Sequence, residues 1–254
     1  MNDKPRWVIF PGERTDKLLS DDELQPVTMG TIYVIRGNKV VDSYECAGGP
    51  SPGHGFKGQG GHSSGATPTG HFVLDRAEHH VTMNWPASAI PWGANLRESG
   101  GIIEFQRGGT WIAATGPHGV VTRAQMLWVA RSGNPVSFEA ADIAARNAFF
   151  DRSGGFISVW LKNDFGKWSW NLRRNGKRTA IYVHTTPADE RAAMRSTKLH
   201  LEQSHGCLHI QPADRDEMVA KQYLRAGIAV HIVPYGRKGP PRAEEIASRD
   251  VALW

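Results

Sequence analysis

Apolar and polar residues follow one another in short runs along the chain, and this pattern predicts β-strands more often than helices. Two β-branched and aromatic runs within residues 31–46 flank Gly37-Asn38, which predicts a tight hairpin. Residues 167–174 and 177–184 flank Asn175-Gly176, the strongest short hairpin signal in the sequence. On the second arm of this hairpin, His184 is expected at the strand end and on the same face as Tyr182.

Further apolar runs predict the remaining elements. Strands are expected in the runs at 71–74, 101–105, 110–114, 126–130, 156–161 and 228–233. Helices are expected over 138–150, 187–195 and 213–225, and from residue 243 onward. With 28 glycines and 15 prolines, the chain is rich in turns. The sequence therefore predicts a mainly β fold with a few helices.

Charge and cysteine content narrow the classes of partner. The net charge of +5 suits an anionic partner, such as nucleic acid, a membrane surface or an anionic cell-wall polymer. No nucleic-acid recognition motif is present, so we expect no nucleic-acid partner. Two cysteines exclude a disulfide framework. No apolar run reaches the roughly 18–20 residues that cross a bilayer, so we expect no membrane span.

The N-terminal apolar run at 7–10 is too short for the core of a signal peptide. The sequence therefore leaves three expectations open: the protein stays inside the cell, its export signal was removed, or another secretion route carries it.

The run Ser204-His205-Gly206-Cys207 carries the most specific chemistry in the sequence. A cysteine attacks as its thiolate, which a nearby imidazole or aimed backbone N–H groups favour. Glycine lets the backbone approach a reacting carbonyl group. The pattern predicts a cysteine nucleophile beside an oxyanion pocket. The other cysteine, Cys46, ends a predicted strand and is interpreted as a small buried apolar residue.

Three features in order extend this prediction: the turn Thr67-Pro68-Thr69-Gly70 before a strand, His184 at a strand end, and the Ser-His-Gly-Cys run. Together they resemble the L,D-transpeptidase (YkuD-like) family. The resemblance covers roughly 27–75 and 180–235. It implies a β-sandwich or barrel of the YkuD type and a catalytic domain at 27–235. It leaves an inserted region or lid at about 85–178, an N-terminal extension at 1–26 and a tail at 236–254.

The resemblance implies an enzyme that acts on peptidoglycan stem peptides without a cofactor. In such enzymes the cysteine attacks the carbonyl group of an L-centre, usually of meso-diaminopimelate, and expels the terminal D-amino acid. An amine then resolves the thioester to give a 3→3 cross-link. Water would give L,D-carboxypeptidase activity, and a free D-amino acid would give exchange. Family resemblance implies action in the periplasm or cell wall, and the sequence does not determine an oligomeric state.

The family's site residues map onto this chain one by one. Cys207 would be the nucleophile, and His184 would pair with it as acid and base. The Thr185 carbonyl group would orient His184. The backbone N–H groups of Gly206 and Cys207 would receive the oxyanion. The full implied sets are Cys207, His184, His205, Gly206 and Thr185 for catalysis, and Ser204, His209 and Tyr182 for substrate binding.

His209 departs from the family pattern, because many relatives have arginine or asparagine two residues after the cysteine. Histidine would hold a carboxylate more weakly than arginine, and in a pH-dependent manner.

Three alternatives remain open from the sequence. A zinc site could use His200, His205, Cys207 and His209, since zinc takes cysteine and histidine ligands. The upstream matches fit a thiol enzyme better, and we expect no metal. A second alternative is a cell-wall-binding module without catalysis. In a third, the same chemistry belongs to an antibacterial toxin that is delivered into a competitor's periplasm.

Overall fold

A computed structural model describes residues 4–19, 24–53, 65–78, 90–91, 93–116, 119–122, 156–160, 165–194, 196, 199, 201 and 203–247. The chain divides into two compact units. The first comprises Met1–Glu78 and Trp168–Trp254, and the second comprises His79–Lys167. The sequence predicted an inserted region at about 85–178, and those bounds stay a prediction.

Thirteen strands and three helices occur in the described residues. The strands are β1 Arg6–Leu19, β2 Leu24–Arg36, β3 Lys39–Ala47, β4 Gly70–Glu78, β5 Leu96–Ser99, β6 Ile102–Arg107, β7 Thr110–Ala113, β8 Thr115–Gly116, β9 Gly119–Val120, β10 Ser169–Arg174, β11 Lys177–His184, β12 Leu208–His209 and β13 Ala229–Ile232. The helices are α1 Pro187–Met194, α2 Pro212–Ala220 and α3 Ala243–Ala247.

The first unit is a closed barrel with the strand order β1-β13-β4-β10-β11-β12-β3-β2. Closure leaves no free sheet edge, because every strand has a hydrogen-bonded neighbour on each side. Alternate side chains fill the barrel core, which includes the fully buried rings of Trp7 and Trp170 together with Val183 and Leu208. Val183 and Leu208 face the core from two paired strands, so the residues flanking them face away from it.

The second unit contains an antiparallel sheet with the order β5-β6-β7 and a two-stranded β8-β9 ribbon. Its own apolar core includes Ile103, Phe105 and Trp160. Two of these lie two residues apart on β6, which is the spacing that puts side chains on one face of a strand.

The mainly β prediction is confirmed. The hairpin at Gly37-Asn38 joins β2 and β3, and the hairpin at Asn175-Gly176 joins β10 and β11. Both turns use positive φ angles, at Gly37 and at Asn175 and Gly176, which explains why asparagine and glycine marked them. The predicted strands near 71–74, 101–105, 110–114 and 228–233 are present, as are the helices that begin at Pro187 and Ala243.

Two local expectations change. Residues 156–160 form no strand; their backbone bonds run to residues 93–96 around one isolated bridge, Asn95↔Val159. The apolar pattern there reflects the burial of Trp160 and not the hydrogen-bonded pairing of a strand. The helix predicted over 213–225 ends at Ala220, because Gln222 has a left-handed φ of 62°. β1, within the predicted N-terminal extension, pairs with β2 and β13.

The elements predicted at 126–130 and 138–150 lie outside the described residues. Within the described part of the chain, no helix has the length and apolar character needed to cross a bilayer.

Candidate active site

Cys207 lies at the point where the Ser-His-Gly-Cys loop enters β12. Its Sγ lies 3.8 Å from the carbonyl oxygen of Ala180, to which the thiol donates a weak hydrogen bond. Burial raises the pKa of the Cys207 thiol to about 11, and a backbone hydrogen bond from Tyr182 lowers it in part. The thiol is therefore neutral near pH 7, and a base is needed to convert it into a nucleophile.

His184 ends β11, on the strand next to Cys207. Strands β11 and β12 run parallel, with Val183 opposite Leu208 and His184 opposite His209. Continuing this register by one residue brings Cys207 opposite Tyr182, in agreement with the Tyr182 backbone bond to the thiol. Cys207 and His184 therefore lie on the same face of the sheet, away from the barrel core.

A single contact fixes the tautomer of His184. Its Nδ1 lies 2.8 Å from the carbonyl oxygen of Thr185, and the ring is buried. A carbonyl oxygen can only accept a hydrogen bond, so Nδ1 carries the proton. In the neutral ring, Nε2 is then the unprotonated nitrogen, which is the form that a general base requires.

The Ser204 side chain stabilises the Ser-His-Gly-Cys loop by two hydrogen bonds within it. Its buried Oγ donates to the Cys207 carbonyl oxygen at 2.6 Å and accepts the Gly206 N–H at 3.0 Å. The Gly206 N–H, predicted as an oxyanion donor, is thus used within the loop in this conformation. His205, the neighbour of both residues, is exposed.

The Thr67-Pro68-Thr69-Gly70 turn lies directly beneath the cysteine loop. Thr67 Oγ1 accepts the Gly49 N–H at 2.8 Å and donates to the Cys207 carbonyl oxygen at 3.5 Å. The Tyr235 hydroxyl group accepts the Thr67 N–H at 2.9 Å and donates to the Gly49 carbonyl oxygen at 3.0 Å. The sequence motif is therefore a scaffold for the cysteine loop.

Sequence reasoning missed two members of this scaffold, Gly49 and Tyr235. A Cβ at Gly49 would lie 2.1 Å from the Gly65 carbonyl oxygen and 3.0 Å from the Gly206 Cα atom, so only glycine fits between these backbones. Gly49 falls in a glycine-rich loop, and nothing in its neighbours along the chain marks it. Tyr235 follows the closing strand, and only the barrel brings it to the turn.

His209 contacts His184 rather than solvent. It is 8% exposed, and its ring meets the His184 ring edge to face, with 4.6 Å between the ring centroids. The Tyr182 side chain is partly exposed. Among the described residues, no group of three or more histidine, cysteine, aspartate or glutamate side chains could hold a metal ion. His200, part of the zinc alternative, lies outside them.

The raised pKa of Cys207 gives a testable pH dependence. The thiolate fraction of a group with a pKa of about 11 rises about tenfold per pH unit between about pH 7 and about pH 9. The rate of alkylation of Cys207 by iodoacetamide should rise in the same way, without a plateau in this range. Labelling reactions quenched at successive times and analysed by intact-protein mass spectrometry measure this rate. A plateau near neutral pH would indicate a thiolate–imidazolium pair in the free protein instead.

Position 206 requires glycine because its φ is 124°, a conformation that L-residues rarely adopt. Gly206→Ala should destabilise the fold by about 1–3 kcal/mol through backbone strain and slow the labelling of Cys207. Urea unfolding and labelling rates measure the two effects. Gly65→Ala is the matched control, because a Cβ there meets open space. Equal stability of the two variants would show that the Gly206 conformation carries no strain.

Comparison with known proteins supports one assignment. The family model of the YkuD L,D-transpeptidase catalytic domain matches residues 27–232. Searches of curated proteins and of solved structures gave no significant match. The matched range covers most of the chain and includes the cysteine loop, the histidine strand and the turn beneath them. The chain therefore belongs to the YkuD family of L,D-transpeptidase catalytic domains.

Proposed function

We propose that this protein is a cysteine-dependent L,D-transpeptidase that acts on peptidoglycan tetrapeptide stems through a thioester acyl-enzyme. The observation that carries the proposal is the state of His184 beside Cys207. Nδ1 donates a hydrogen bond to the Thr185 carbonyl oxygen at 2.8 Å. His184 lies on β11, which pairs with β12, the strand that begins directly after Cys207. A partly buried neutral thiol and an imidazole whose unprotonated nitrogen is Nε2 are the two partners of base-assisted nucleophilic attack.

In the acylation step, His184 Nε2 takes the proton of the Cys207 thiol as Sγ attacks the carbonyl carbon of the L-centre. The negative charge develops on the carbonyl oxygen of the substrate. Cys207 N–H is the proposed donor to that oxygen, because Gly206 N–H already donates to Ser204. His184 then gives the proton to the departing amine. The C–N bond breaks, and the D-amino acid leaves.

In the second step, an acceptor amine attacks the thioester carbonyl carbon and loses a proton to His184. The C–S bond breaks, and the thiolate regains the proton. A stem amine gives a 3→3 cross-link, a free D-amino acid gives exchange, and water gives L,D-carboxypeptidase activity. Because the substrate is part of the cell wall, the proposed place of action is the periplasm or cell wall.

The site-residue roles inferred from the sequence take this form in the proposal. Ser204 and His205 shape the nucleophile loop, and His205 is exposed. Tyr182 contributes its backbone N–H to the thiol. The carboxylate-anchoring role predicted for His209 has less support, because its ring is buried against His184.

The proposal is tested by incubating purified protein with a disaccharide-tetrapeptide, with and without a free D-amino acid, and identifying the products by mass spectrometry. A cross-linked dimer, an exchanged tetrapeptide or a tripeptide identifies transfer to a stem, exchange or hydrolysis. The proposal is wrong if folded protein gives none of these products. Release of the tripeptide alone would favour the carboxypeptidase.

A further inference from the structure

A buried ion pair connects the two helices that follow His184 and Cys207 in the chain. Glu190 on α1 and Arg215 on α2 are both nearly inaccessible to solvent and form a salt bridge through Glu190 Oε1 and Arg215 Nη1. Arg215 also contacts the exposed carboxylate of Asp216. No sequence motif marked these residues. The pair joins the helix that follows His184 to the helix that follows Cys207.

The same glutamate oxygen holds Thr185. The Thr185 hydroxyl group donates to Glu190 Oε1 at 2.6 Å, and both groups are buried. The backbone of Thr185 carries the carbonyl group that accepts His184 Nδ1–H. The side chain of one residue is therefore tied to the ion pair while its main chain orients the imidazole. Rotation of the Thr185 peptide would break the bond to Glu190 or the bond to His184.

The energetics favour a positioning role over a stabilising one. Replacing a buried ion pair by packed apolar side chains is often neutral or favourable for stability. Fold stability alone therefore does not explain why the ion pair is present. Its directional bonds, however, specify one geometry. Hydrogen bonds to a charged carboxylate are among the stronger ones in proteins, and burial protects this one from competition with water.

We infer that Glu190 and Arg215 are positioning residues, which lock the Thr185 carbonyl group and thereby keep His184 in its Nδ1–H tautomer. The inference rests on the proposed function for its activity readout. Its tautomer readout does not, because the state of the imidazole is measured without substrate.

Two neighbouring threonines provide a matched pair of variants. Thr185→Val removes the hydroxyl group that bonds Glu190 and keeps the shape of the side chain. Thr186→Val removes a similar buried bond, from Thr186 Oγ1 to Asp189 at 2.8 Å. Thr186 caps α1, since its Oγ1 also accepts the Asp189 N–H at 3.1 Å. Each variant loses one buried hydrogen bond to a carboxylate, but only Thr185 both donates to Glu190 and carries the carbonyl group that bonds His184.

We expect Thr185→Val to lower kcat/KM on the tetrapeptide about tenfold, mostly through kcat, and Thr185→Ser to restore it to within about twofold. Long-range ¹H–¹⁵N spectra of the histidine rings should show the Nδ1–H tautomer of His184 in the wild type and a mixture in Thr185→Val. Thr186→Val should keep both the activity and the wild-type tautomer, while its stability falls at least as much as that of Thr185→Val, because it also loses the cap bond from the Asp189 N–H.

Glu190→Gln tests the ion pair directly, because glutamine keeps the shape and removes the charge that faces Arg215. It should reproduce the tautomer change of Thr185→Val. Where this variant does not fold, the threonine pair carries the test. An unchanged tautomer in folded Thr185→Val, or equal kcat in the two valine variants, would overturn the inference. If the wild type has no activity on stems, the proposed function fails, and the tautomer spectra still decide the positioning role.

Discussion

Cys207→Ala is expected to abolish formation of dimer, exchanged tetrapeptide and tripeptide, a loss of about a thousandfold or more. The substitution removes the only atom that forms the covalent bond to the acyl group, and no step of the proposed cycle proceeds without it. Product formation by mass spectrometry measures the loss. Because the Cys207 side chain is partly exposed at the end of a strand, its removal leaves the core packing intact. Thermal unfolding should therefore be close to that of the wild type.

Cys46→Ala is the matched control for this prediction. Cys46 is fully buried in the barrel core, and burial raises the pKa of its thiol well above the ordinary value. Losing the sulfur atom from the core should destabilise the fold by about 1 kcal/mol and keep activity within about twofold. Full activity in Cys207→Ala would contradict the proposed mechanism. A large loss of activity confined to Cys46→Ala would show that Cys46, and not Cys207, is the reactive thiol.

His184→Gln is expected to lower kcat by about a hundredfold to ten-thousandfold, the range that a general acid–base group contributes. The requirement is strong here because burial raises the pKa of Cys207 to about 11, so the thiol does not ionise at neutral pH by itself. Raising the pH should recover part of the lost rate as the thiolate fraction increases. Glutamine has about the size of histidine, so the variant separates lost proton transfer from lost packing.

His71→Gln is the control for the imidazole. His71 is an exposed residue of β4 whose ring stacks on His231, with 4.3 Å between the ring centroids. It lies on a barrel strand separated from β11 by β10. Its replacement should leave kcat within about twofold of the wild type. A His184→Gln variant with wild-type kcat and an unchanged pH profile would contradict the role of His184.

Much of the site could be predicted from the sequence because it depends on local chemistry. The Ser-His-Gly-Cys run marked the cysteine loop, and the strand alternation put Tyr182 and His184 on one face. Both hairpins followed from their turn residues, since asparagine and glycine adopt the positive φ angles that such turns need. In each case the signal lies within a few adjacent residues.

Other parts of the site could not be predicted, because they join segments far apart in the chain. Glu190 and Arg215 lie 25 positions apart and meet only where α1 packs near α2. Tyr235 reaches Thr67 across 168 positions. The sequence suggested His209 as a substrate anchor, which stays a prediction, but it did not indicate that the ring contacts His184. An apolar run also predicted a strand at 156–161, but the apolar side chains of 156–160 are buried or partly buried without a run of β-sheet hydrogen bonds.

The sequence by itself determined which atoms can do chemistry: one cysteine thiol after a glycine, one histidine at a strand end, and a mainly β chain to hold them. The tertiary structure decided the state of those atoms. The closed barrel pairs β11 with β12, buries the thiol so that its pKa rises, and gives His184 Nδ1 a carbonyl acceptor. Residue type fixes the reactivity that is available, whereas protonation and orientation depend on burial and on partners that only folding brings into contact.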